Sequence, residues 1–94
     1  MENPFEEPVP LPITGELDLH TFAPGDLGEL LPAYLTACRE NGILQVRVVH
    51  GKGTGNLRRG VHALLARSPL VASFALAGEQ QGGWGATIVN LKPD

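Results

Sequence analysis

Ile43-Leu44-Gln45-Val46-Arg47-Val48-Val49-His50-Gly51-Lys52-Gly53-Thr54-Gly55 is the stretch that decides the fold. Its first seven residues form an apolar, β-branched run of strand length. Beyond it, Leu57, Val61, Leu64 and Leu65 fall at helical spacing. Glycines between a strand and a helix let backbone N–H groups approach a ligand closely, and the helix start adds unpaired donors and a positive dipole end. With His50 and Lys52 inside that turn, the natural visitor is an anion, a phosphate above all. Lys52 precedes Gly53, so the turn is not a Walker A loop, and Asn56 stands where a dinucleotide fingerprint requires glycine. ATP and NAD chemistry are therefore disfavoured. A turn permitting positive φ with no ligand is the plainer alternative.

Outward from this turn, the pattern alternates between strands and helices. Glu16-Leu17-Asp18-Leu19-His20 has period two and predicts a short strand, with Leu17 and Leu19 on one face and Asp18 and His20 on the other. Thr21 to Gly25 reads as a loop, and a helix is expected from about Asp26 to Asn41. Leu27, Leu30, Leu31, Tyr34, Leu35 and Cys38 line one stripe of that helix, which Pro32 interrupts and is expected to kink. The next strand is Leu44 to Val49 and the next helix Asn56 to Arg67, capped by Thr54 or Asn56 and ended by Ser68-Pro69. Val71 to Ala77 and Ala86 to Leu91 read as two strands joined by the glycine-rich run Gly78 to Gly85. The order β-α-β-α-β-β predicts a two-layer α/β fold of the α+β kind, with a four-stranded mixed sheet and two helices. If the first two strands are parallel neighbours, His20 and His50 end at one edge, ~5–10 Å apart given a strand spacing of ~4.8 Å.

Size and composition bound the rest. Ninety-four residues allow one modest core, preceded by an extended or disordered arm over residues 1–14 that holds Pro4, Pro8, Pro10 and Pro12. Residues 15–94 form the expected domain. No apolar run reaches the ~20 residues of a membrane span, and Met1-Glu2-Asn3-Pro4 lacks a signal-peptide pattern, so a cytoplasmic protein without a membrane partner is expected. Cys38, the single cysteine, reads as a small buried hydrophobe. The net charge of −3 opposes general attraction to nucleic acid, yet no acid occurs from Asn41 to Gly78. Arg47, Lys52, Arg58, Arg59 and Arg67 fall in that span, which predicts a locally basic surface around the turn.

Asp18 and His20 project from one strand face. They suit a divalent cation, or a base with its orienter, with His50 as third donor; a structural bond from Asp18 to loop N–H groups is the simpler alternative. Trp84, in Gly82-Gly83-Trp84-Gly85, either stacks on a base or closes the core. His62 is expected at the surface.

Leu17-Asp18-Leu19-His20, His50 to Gly55 with Leu57-Arg58, and Gly82-Gly83-Trp84-Gly85-Ala86-Thr87 occur in one order across about Gly15 to Leu91. Together they resemble the Smr, or small MutS-related, domain family. The resemblance implies a fold similar to the C-terminal domain of translation initiation factor three. It also implies DNA or RNA as partner, and endonuclease (nicking) activity on DNA or structured RNA. Asp18, His20 and His50 are the catalytic candidates it implies. Gly51, Lys52, Gly53, Thr54, Gly55, Arg58, Arg59, Gly83, Trp84 and Gly85 are the nucleic-acid-binding candidates. Magnesium or manganese is the implied cofactor, with Asp18 and His20 as ligands. Thr21 stands where the family usually has glycine. A non-catalytic nucleic-acid-binding module, or a protein-interaction domain using the proline-rich arm, are the alternative functions.

Overall fold

The computed structural model describes residues 13–20, 22, 24–51, 55–78 and 83–93, with the backbone alone at Pro24 and Trp84. Residues 1–12 of the expected arm lie outside the described residues, whereas Ile13 packs against the core. The elements are β1 (Glu16–Asp18), α1 (Leu27–Glu40), β2 (Gln45–Val49), α2 (Asn56–Arg67), β3 (Val71–Leu76) and β4 (Ala86–Leu91). Single 3-10 turns at Pro24–Asp26 and Gly83–Gly85 precede α1 and β4.

The sheet is four-stranded in the order β1-β2-β4-β3. β1 and β2 pair in parallel, while β4 runs antiparallel to both β2 and β3. β3 is thus parallel to β2 but separated from it by β4. Register fixes the faces, because strand residues alternate sides. Leu17 lies opposite Val48, Val48 opposite Thr87, and Val46 opposite Val89. All five are buried under the helices. The other face sets a row of polar pairs beside Val49 and Ile88. Arg47 pairs with Glu16, Gln45 Nε2 donates to Asn90 Oδ1 at 3.3 Å, and Asn90 Nδ2 donates to Ser73 Oγ at 3.1 Å. Arg47 is thereby withdrawn from the basic surface expected around the glycine turn.

α1 buries Leu27, Leu31, Tyr34, Leu35 and Cys38 along one stripe and runs through Pro32 without a break. Helix interiors dislike proline because it removes an N–H bond. Here the loss falls early in the helix, and the buried stripe on either side carries the helix through. The two helices meet closely at Gly60, where an added Cβ would stand 3.3 Å from Leu27 Cδ2. The expected cap of α2 is corrected. Its N-cap is Gly55 at φ 85°, without a side-chain cap bond, and Asn56 Oδ1 instead accepts from Arg59 Nη2 at 2.5 Å.

Tyr34 joins α1 to the entrance of β1. Its hydroxyl accepts from the Gly15 N–H at 3.2 Å and donates to the Glu16 carbonyl at 3.0 Å. Truncating a well-packed leucine typically costs about 2–5 kcal/mol, whereas losing one hydroxyl and its bonds costs about 1–2 kcal/mol. Leu35, at 1% exposure, is in the first class and the Tyr34 hydroxyl in the second. Urea unfolding of Leu35→Ala and Tyr34→Phe should therefore rank the two in that order, and the reverse ranking would contradict the assigned core.

Candidate functional site

The parallel pairing of β1 with β2 brings their carboxyl ends to one edge. Asp18 lies opposite Val49, and the Leu19 N–H still donates to the Val49 carbonyl at 2.9 Å. Continuing that register sets His20 beside Gly51. There, a Cβ added to Gly51 would stand 3.5 Å from His20 Nε2. Gly51 has φ 80°, a left-handed conformation that glycine adopts without strain.

Asp18 and His20 form a dyad. Asp18 Oδ1 accepts from the His20 backbone N–H at 2.9 Å and lies 2.6 Å from His20 Nδ1. The backbone bond, foremost, holds the Asp18 carboxyl below its usual range, and the His20 ring and Arg47 add to this. A carboxylate can only accept, so Nδ1 carries the proton and a neutral His20 ring leaves Nε2 as its lone-pair nitrogen. That nitrogen sits over Gly51. Both side chains are mostly exposed, at 60% for Asp18 and 63% for His20.

His50 belongs to the opposite side of the sheet. It shares parity with Val46 and Val48, so its ring enters the helix-facing layer, where it is 6% exposed. His50 Nδ1 lies 3.0 Å from the Gly51 carbonyl, and Nε2 lies 2.8 Å from Thr87 Oγ1. His62 Nε2 reaches the same hydroxyl at 2.8 Å, and its ring packs 5.1 Å from that of Phe74. His62 is therefore half-buried, which corrects its expected surface placement. The sheet backbone separates His50 from the Asp18–His20 dyad, so the three do not converge as a donor set. Among the described residues no group of three His, Cys, Asp or Glu side chains is placed to hold a metal ion. Asp18 and His20 alone, already bonded to each other, do not amount to a cation cage of protein ligands.

The second and third sequence motifs meet through one oxygen. The Gly85 carbonyl accepts from the His50 N–H and the Gly51 N–H, each at 2.9 Å. Those two amides are spent on the protein and are not part of an anion cradle. Gly83 closes the same turn, its N–H donating to the Gly78 carbonyl at 2.9 Å. Lys52, Gly53, Thr54 and the Trp84 side chain lie outside the described residues. At the far end of the turn, both arginine side chains fold back on the start of α2. A Cβ on Gly55 would meet Arg58 Nη2 at 3.1 Å and Arg59 Nη1 at 3.4 Å. The first turn of α2 holds no acid. Two guanidinium groups thus lie beside the positive end of a helix dipole, a repulsive arrangement that an anion relieves.

The sequence reading missed Thr87 as a site residue. Its signal was a hydroxyl two residues from Val89 on a core face, where a buried donor needs partners. Burial pushes His50 and His62 below the ordinary histidine value of 6.5, and the nearby Arg58 charge adds to this, as does His50 in the case of His62. In the unfolded chain both rings bind protons more readily, so acid favours unfolding. Their contribution should be complete above pH 6.5 and should fall as the pH drops below it. Asp18, lowered from 3.8, acts only in stronger acid. Urea midpoints from pH 7.5 to 4.5 should decline in the wild type and decline less in His62→Gln; equal slopes would remove His62 from the linkage.

The Smr domain profile matches residues 17–92. The endonuclease MutS2 of Thermomicrobium roseum is 52% identical over 62 residues, covering 66% of this chain and 8% of that protein. The endonuclease MutS2 of Fusobacterium nucleatum is 37% identical over 81 residues, covering 86% of this chain and 10% of that protein. The chain thus spans about a tenth of the length of these relatives. The crystal structure of the Smr domain of Thermus thermophilus MutS2 superposes with TM-score 0.78 at 37% identity, covering 83% of this chain and 98% of that one. YdaL, a stand-alone small MutS-related protein of Escherichia coli, shares the fold at TM-score 0.76 and 24% identity, covering 86% of this chain and 66% of that one. With the sequence motifs meeting at the end of β2 and the profile spanning residues 17–92, this chain belongs to the Smr domain family.

Proposed function

We propose that this chain is a nucleic-acid-binding endonuclease whose reaction is phosphodiester hydrolysis at the β1/β2 edge. The observation that carries the reading is the exposed Asp18–His20 dyad, with Oδ1 and Nδ1 2.6 Å apart and Nε2 directed over the glycine turn. An exposed ion pair contributes about 0–1 kcal/mol to stability, so folding gives little reason for this arrangement. Its chemistry gives a better one. His20 Nε2 takes a proton from an attacking water, the water oxygen bonds to phosphorus, and the bond from phosphorus to the leaving sugar oxygen breaks as that oxygen takes a proton from solvent water. Asp18 keeps the ring in the required tautomer and stabilises the imidazolium.

The start of α2, with Arg58 and Arg59, holds the phosphate and offsets its developing charge. Gly51 and Gly55 are joined by four backbone steps, a reach of at most about 14 Å, so a single stretch of nucleic-acid backbone touches both ends of the site. Lys52 lies in this turn by sequence and adds a further cation. In this reading His50 supports the turn from beneath rather than touching substrate, because both its ring nitrogens already have partners. The relatives' names as endonucleases support the same reading. Among the described residues, no helix is long and apolar enough to cross a membrane.

A nucleic-acid-binding module without catalysis is the second reading. It is favoured by the arginine pair, which stands without reference to the dyad. The two readings separate on incubation of the purified chain with supercoiled plasmid and with structured RNA, each in EDTA, magnesium or manganese. His20→Ala and Asp18→Asn should lower cleavage at least ~100-fold, the usual scale of general-base loss. Their unfolding free energies should change by less than about 1 kcal/mol. Unaltered cleavage by the double variant would reject the dyad as the reacting group. Arg58→Gln should weaken duplex binding and reduce the slope of log affinity against log salt by about 0.9, the value for one phosphate contact. An unchanged slope would remove Arg58 from the interface.

A further inference from the structure

The buried His50–Thr87–His62 cluster is outside the reaction just described, yet it lies directly under the turn that the reaction uses. Its hydrogen bonds have only one consistent direction when both rings are neutral. The Gly51 carbonyl can only accept, so His50 Nδ1 carries a proton and donates to it at 3.0 Å. His50 Nε2 is then a lone pair, and it can only accept the Thr87 hydroxyl proton, at 2.8 Å. A threonine hydroxyl has one proton. With that proton given to His50, Oγ1 accepts from His62 Nε2–H at 2.8 Å. The chain therefore runs from His62 through Thr87 and His50 to the carbonyl of Gly51. Thr87 is fully buried and His50 nearly so, so water does not compete for these groups. Among the described residues no buried side-chain nitrogen or oxygen lacks a partner.

We infer that Thr87 and His62 are positioning residues, which lock the His50 ring in its Nδ1–H form and through it hold Gly51 in the left-handed conformation that carries His20. Two anchors then act on Gly51 from opposite directions. The Gly85 carbonyl takes its N–H, and the His50 ring takes its C=O. With both ends of one residue bonded, its φ of 80° is over-determined. Phe74 on β3 braces the His62 ring, so three separate strands and α2 contribute to the setting of a single glycine.

The inference rests on the proposed function for its consequence but not for its test. The first measurement is the tautomer of each ring by long-range nitrogen–proton correlation of the intact chain at pH 7.5. The expected result is Nδ1–H for His50 and Nε2–H for His62, and a His50 ring protonated at Nε2 alone overturns the proposal. The second is substitution. Thr87→Val keeps the shape and removes the hydroxyl, whereas Thr87→Ser keeps the hydroxyl. Thr87→Val should lose the His50 Nδ1–H signature and shift the Gly51 amide and Cα resonances; Thr87→Ser should retain both. A Gly51 resonance unmoved in Thr87→Val overturns the proposal. Should Thr87→Val fail to fold, His62→Gln, which presents an amide N–H in place of the ring N–H, should preserve the His50 tautomer, while His62→Phe should not. Failure of that contrast also overturns it. Plasmid cleavage should fall at least 10-fold in Thr87→Val and recover in Thr87→Ser, and equal cleavage in the two would reject the positioning role. A wild type that neither cleaves nor binds nucleic acid rejects the proposed function, and leaves the tautomer measurement to decide this one.

Discussion

The parallel pairing of β1 and β2 is the constraint on which the site depends. Two parallel neighbours end at the same edge of a sheet, and loops following them are neighbours too. With Asp18 opposite Val49, the residues after each strand fall beside one another without any further device. A shift of one residue would exchange the faces of the whole strand, burying Asp18 under α1 and exposing Leu17. The cost of that exchange is borne by the core. Leu17 and Leu19 are each 2% exposed, and burying such a side chain is worth about 1.5–3 kcal/mol. The apolar packing of β1 thus holds the dyad in place, although the dyad itself is polar, exposed and nearly indifferent to stability.

Face parity divides the polar groups of this edge into two sets. Asp18, Val49 and, by continuation, His20 and Gly51 belong to the open face, while Val48 and His50 belong to the helix-facing side. Groups on the open face meet water and whatever polyanion arrives. Groups beneath it meet only protein, where an unpartnered polar atom is costly and a complete hydrogen-bond chain is rigid. For the proposed reaction, this is a physical reason to assign chemistry and support to different histidines. His20 has one ring nitrogen without a protein partner among those described, and His50 has none.

Most of the architecture was legible in the chain because periodicity is local. The bounds of α2 and β4 agree with the sequence reading, α1 is shorter by one residue at each end, and β2 and β3 are shorter by one residue at a single end. β1 ends earlier than its alternation suggests, at Asp18, because the His20 N–H goes to the Asp18 carboxylate and the Leu19 carbonyl to the Phe22 N–H, which leaves a single bond from Leu19 to Val49. Asp18, His20 and Gly51 were legible as neighbours at the end of two paired strands, and the structure brings those three together, while Arg58 and Arg59 meet at Gly55 at the start of α2. What the sequence could not supply is register. Without the pairing of Val48 with Thr87, nothing in the chain says that a histidine after β2 and another on α2 share one threonine hydroxyl. The same gap hid the Gly85 carbonyl, a backbone acceptor that no residue type announces.

Charge follows the same logic of place over total. A net charge of −3 coexists with a turn and helix start where Arg58 and Arg59 lie together and the first turn of α2 carries no acid. Charges farther apart than ~8 Å, the screening length of physiological salt, count for little, so the local pair of guanidinium groups outweighs the net charge at the helix start. Arg47, by contrast, is tied to Glu16 on the sheet's open face, where its charge bears on Asp18. The same pair of arginines also bears on the layer beneath, since Arg58 disfavours a charge on both His50 and His62. An edge that is cationic outside and neutral inside keeps its hydrogen-bond chain in one direction, because a second proton on His50 would make Thr87 accept from both rings and leave its own proton without a base.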